Sequence, residues 1–204
     1  MLFLAYKQWG HGNAGGSFAL SIQTMYTKQT IAIIGASSRK ASVILNNIAG
    51  GNYRLLFVSG KNDQLQDLIE KIQAQNSSAD IEIVDCSFNA CWEADIIIAA
   101  VTAGEEKAFA DKIKQVANRK IVINVARLLE NDSFQNFDFK RLLPNTNVVT
   151  IYSAAFVSAF FGTATSHPVN EVLMAGDEEA IPVASELINT AGYTPVVANH
   201  FAVL

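Results

Sequence analysis

From Thr30 onward the chain alternates short β-branched runs with longer amphipathic stretches, and this alternation restricts the possible folds of its 204 residues more than any other feature. The runs at 31–34, 54–58, 81–84, 95–98, 120–123 and 147–151 are short and largely apolar, as strands covered on both faces require. Between them, 38–49, 62–75 and 105–117 carry apolar residues at helical spacing, among them Leu65, Leu68, Ile69 and Ile72. Strand, helix, strand in succession means parallel pairing through right-handed crossovers, so the expected fold class is α/β, a doubly wound and mostly parallel sheet of about eight strands. The closing unit is a strand at 172–175, a helix at 177–190 stopped by Gly192, and a strand at 195–198.

Composition narrows the function. Half of the residues are hydrophobic and 17% are charged, which provides a large core and excludes a disordered chain. Fifteen cationic against nineteen acidic residues give a net charge of −4, with no lysine-rich run, so nucleic acid is not an expected partner. Cys86 and Cys91 cannot staple a small fold, and with three scattered histidines they form no zinc ligand set, so no metal is expected and a reducing cytoplasm is the expected location. No apolar run approaches the roughly 18 residues that a membrane-spanning helix needs, and no membrane partner is expected.

Residues 1–24 stand apart. They open on Leu2-Phe3-Leu4, but Lys7 and Trp9 interrupt the apolar stretch a secretory signal needs, and a glycine-rich, aperiodic segment follows. They read as a flexible N-terminal extension, one account of which is a start-codon artefact with Met25 as the native initiator. Residues 25–204 form a single domain.

The most informative segment is the first strand-to-helix turn, Gly35-Ala36-Ser37-Ser38-Arg39-Lys40. A dinucleotide-binding turn uses its first glycine for the tight turn, its second for the approach of pyrophosphate and its third for helix packing. Gly35 is in place, whereas Ser37 and Lys40 occupy the other two glycine positions. Arg39 and Lys40 in the first turn of a helix oppose its dipole, at a cost of about 0.3–1 kcal/mol each. A bound anion would reverse that sign, and the amides and hydroxyls of Ser37 and Ser38 converge on the same place, so the turn reads as a phosphate site. At the end of the second run stand Ser59 and Lys61, where a cofactor with a free ribose 2′-hydroxyl meets an acidic residue. Hydroxyl and ammonium donors favour a 2′-phosphate, hence NADP over NAD.

The stretch from Thr30 to Leu204 resembles the deazaflavin-coenzyme-dependent NADP oxidoreductases, whose Rossmann domain is shared with pyrroline-5-carboxylate reductases. The resemblance rests on Asp95-Ile-Ile-Ile-Ala-Ala-Val-Thr102, on Lys120-Ile-Val-Ile-Asn-Val125, on the proline-led Leu143-Pro-Asn-Thr-Asn-Val-Val149, and on Met174-Ala-Gly-Asp-Glu-Glu-Ala180 with Gly192-Tyr-Thr-Pro-Val196. It implies a Rossmann sheet binding NADP(H), with Ala100, Val101 and Thr102 at the tip near the nicotinamide and Tyr152 and Ser153 beyond the sixth strand. The chain departs from the family at Ser37, Lys40, Tyr152 and Ser153, and also at Asn124 and Ala126-Arg127, where the family carries an Asp and an Asn-Pro element. Fold carries over; catalytic residues do not, and none is assigned.

His167, ahead of Pro168, has the pKa range for proton transfer but the company of no other catalytic group. Phe156, Phe160 and Phe161 share helical spacing that suits core packing or a dimer face. Three functions remain open. One is an oxidoreductase moving hydride between NADPH and a small-molecule or flavin-like acceptor. Another is a non-catalytic nucleotide-binding or sensor protein, and the third a scaffold subunit with a vestigial pocket. A homodimer is compatible with each.

Overall fold

A computed structural model of the chain describes residues 28–35, 41–58, 64–101, 104–125, 139–152 and 170–198. Within them lie eight strands, β1 (Gln29–Ile34), β2 (Tyr53–Val58), β3 (Asp80–Val84), β4 (Ile96–Ala99), β5 (Ile121–Val125), β6 (Asn147–Ile151), β7 (Glu171–Gly176) and β8 (Thr194–Val197). The described helices are α1 (Ala41–Ala49), α2 (Gln64–Gln75), α3 (Ser87–Glu93), α4 (Glu106–Ile113), α5 (Phe139–Leu142) and α6 (Ile181–Thr190). The strands form one sheet in the order β3-β2-β1-β4-β5-β6-β7-β8. Pairing is parallel from β3 across to β6, β7 runs antiparallel to β6, and β8 is parallel to β7. This is the doubly wound, mostly parallel α/β sheet that the alternation predicts.

Successive strand residues point to opposite faces, and here both faces are apolar. Ile31, Ile33, Leu55 and Phe57 pack against α1, α2 and α6 on one side, together with Leu65, Leu68, Ile69 and Ile72. Ala32, Ile34, Leu56, Ile97 and Val122 face α3, α4 and α5 on the other. The central strands are therefore covered twice, which is why their sequences run apolar without alternation.

Where the chain turns back at β7 the backbones come very close. A Cβ on Gly176 would lie 2.1 Å from the carbonyl oxygen of Val148. Asp177 fixes this reversal: its Oδ2 accepts from the Val148 amide at 2.8 Å and from Lys140 Nζ at 2.7 Å.

Four details differ from expectation. Helices α3 and α5 have no counterpart in the periodicity, being seven and four residues long. Strand β3, expected to be covered on both faces, lies at the edge of the sheet and leaves Ile83 exposed. The helix expected at 177–190 begins only at Ile181, because Pro182 is accommodated in a first turn but not further in. Helix α4 ends at Ile113, and residues 114–116 continue as a turn. Gly192 ends α6 with φ +91°, the left-handed conformation a helix stop uses.

Candidate functional site

In a doubly wound sheet, ligands bind outside the carboxyl ends of the strands at the point where strand order reverses. Here that point lies between β1 and β4: the chain builds outward from β1 to β2 and β3, then returns to place β4 on the other side of β1. The two strands are tied at both ends. At the amino end, Asp95 Oδ2 accepts from the Thr30 amide at 2.9 Å, and the Asp95 amide donates to the Thr30 carbonyl at 2.8 Å. At the carboxyl end the Ala100 amide donates to the Ile34 carbonyl at 2.9 Å.

Gly35 stands immediately beyond β1 with φ +83°, a conformation L side chains rarely adopt. Its missing side chain is also a matter of space, since a Cβ there would lie 2.1 Å from the carbonyl oxygen of Ala100. The sequence thus requires glycine at the first position of the turn for two independent reasons. Ala100 is buried against this contact, and Val101 follows it half-buried. Tyr152, half-buried, follows β6 two strands further on, and its amide donates to the Leu173 carbonyl at 2.9 Å.

Of the residues singled out in the sequence, the structure brings Gly35, Ala100 and Val101 together and sets Tyr152 apart along the same carboxyl edge. Ala36, Ser37, Ser38, Arg39, Lys40, Ser59, Lys61, Thr102 and Ser153 lie outside the described residues, as do His167, Phe156, Phe160 and Phe161.

Two further polar residues stand on the α4 side of the same edge, and the sequence reading assigned neither a role. Asn124, 2% exposed, interrupts the apolar β5 and shares the face of Val122, which packs toward α4. Glu106, 5% exposed, opens α4 three and four residues before Phe109 and Ala110, the residues that pack on the sheet. Burial pushes the Glu106 carboxyl up to about 7. Glu106 Oε2 and Asn124 Oδ1 are buried without a hydrogen-bond partner, as is Asn46 Oδ1 on α1. An interruption such as Asn124 in an apolar strand is a signal the sequence does contain. Glu106 is hidden there, because Glu105-Glu106-Lys107 reads as an ordinary charged helix start.

Of the two cysteines, Cys91 packs in the core. Cys91 is buried, and burial pushes its thiol up to about 12. The amides of Asn89 and Phe88 hold the Cys86 thiol below its usual range. Both are free thiols. Lys120 Nζ donates to the carbonyl oxygens of Cys91 at 2.7 Å and Trp92 at 2.5 Å, a cation on the last turn of α3 where the helix dipole favours it. Among the described residues no three His, Cys, Asp or Glu side chains converge on a metal position, and no helix is long and apolar enough to cross a membrane.

No family profile matches the chain, and no curated protein matches it in sequence. Solved structures do. A pyrroline-5-carboxylate reductase from Coxiella burnetii superposes with a TM-score of 0.61 at 15% identity, over 86% of this chain and 60% of that one. The NADP-bound pyrroline carboxylate reductase of Plasmodium falciparum gives 0.57 at 12% identity, over 85% and 58%. A protein from Arthrobacter sp. FB24, described as an F420-dependent NADP reductase, gives 0.58 at 14% identity, over 82% of each chain. The chain thus spans about three fifths of the length of the two pyrroline carboxylate reductases. At these identities the likeness establishes a Rossmann-like fold.

Proposed function

We propose that this Rossmann-like domain is an NADP(H)-binding oxidoreductase that moves hydride between the cofactor and a small-molecule or flavin-like acceptor. The contact of Gly35 with Ala100 at the strand-order reversal carries this reading. It lets the chain make the tight turn with which a dinucleotide-binding loop begins, because a Cβ there would run into the Ala100 carbonyl. Structural likeness to proteins described as NADP-bound or NADP-reducing supports it.

When bound, the nicotinamide supplies the hydride chemistry. The chain's part is to bind and orient. Gly35 makes the tight turn, and by residue type Ser37 and Ser38, with Arg39 and Lys40, would offer donors and cations to the phosphates. Ser59 and Lys61 offer donors to a 2′-phosphate. Ala100 and Val101 give the ring end a small, apolar floor. No side-chain nucleophile is needed for such a transfer, which depends on holding the reacting atoms within about 3–3.5 Å.

Two measurements test this reading. Calorimetric titration with NADPH should show saturable binding, and stopped-flow absorbance should show NADPH oxidation by at least one member of a panel of flavin and deazaflavin acceptors. Failure to bind NADPH would remove the cofactor assignment. Tight binding with no oxidation by any acceptor would leave a nucleotide-binding protein and remove the oxidoreductase.

A further inference from the structure

We draw no further inference here: the strongest candidate, the exposed apolar patch that the register partners Leu173 and Val196 form across β7 and β8 at the margin of the sheet, carries nothing, because nothing among the described residues shows what covers it.

Discussion

Gly35 and Ala100 touch backbone to backbone: a methyl group added at Gly35 would sit 2.1 Å from the carbonyl oxygen of Ala100, deep inside van der Waals contact. Because φ at Gly35 is +83°, Gly35→Ala meets both the clash and an unfavourable backbone conformation. The expected loss is about 1–3 kcal/mol of stability, read from the urea midpoint. Since the contact joins the carboxyl ends of β1 and β4, whatever folded Gly35→Ala protein remains should also bind NADPH more weakly. Unaltered stability would show that the close approach can relax freely.

Asp177 joins three elements, through Lys140 on α5, the Val148 amide in β6 and its own place after β7. Asp177→Ala strands the Val148 amide and removes one partner of Lys140, which keeps its hydrogen bond to the Thr146 carbonyl, and should cost about 1–2 kcal/mol. Asp177→Asn keeps an acceptor for the amide and should cost less. Equilibrium unfolding of the two variants at pH 7 gives the order.

The pH dependence of stability has a sign fixed by Glu106. Its carboxyl lies near 7 when folded against 4.5 as a free side chain, so the folded chain holds that proton more tightly than the unfolded one. The stability this gives is fully present below pH 4.5 and is lost as pH rises to about 7, remaining level beyond. Relative to Glu106→Gln, the native chain should therefore lose up to about 3 kcal/mol between those limits. Thermal midpoints of both proteins across this range make the comparison. A constant difference between them would mean that Glu106 ionises in the folded chain as it does in the unfolded one.

Cofactor preference tests the far half of the proposed site. Ser59 and Lys61 offer donors to a 2′-phosphate and no carboxylate stands between them, so NADPH should bind at least tenfold tighter than NADH, about 1.4 kcal/mol. Lys61→Glu should weaken NADPH most. Arg39→Ala, acting at the shared phosphates, should weaken both alike. Equal affinities in the native chain would remove the NADP assignment.

The framework is legible in the sequence because β-branched runs of this length, bounded by polar turns, have few other uses. What escapes is information the local pattern does not contain. Ile81-Glu-Ile-Val84 looks like its neighbours, and only the strand order, set by contacts far along the chain, puts it at an edge with Ile83 in solvent. Helix α3 escapes because seven residues give too few turns for a period to show and a cysteine at the N-cap is not a residue type that marks a helix start. At the site, Gly35 is readable because a single residue type satisfies its backbone. Glu106 is not, since its identity suits an exposed first turn and only the packing of α4 on the sheet reveals that it is buried.

The reversal at β7 has a practical side. Strand β1 begins, and β8 ends, at the pole opposite the carboxyl ends of β1 to β6, so the described chain enters at Lys28 and leaves at Ala198 on the same side of the molecule. A reporter domain or a surface tether joined at Lys28 or Ala198 is thus attached at the pole away from the end of the sheet where Gly35 meets Ala100. The two points are five strand intervals apart, roughly 24 Å at about 4.8 Å each, so a permuted chain would need a bridge of that reach to join them. New ends could then be opened at the carboxyl ends of β1 and β4, which would turn this pole from the part farthest from the present attachment points into the point of attachment.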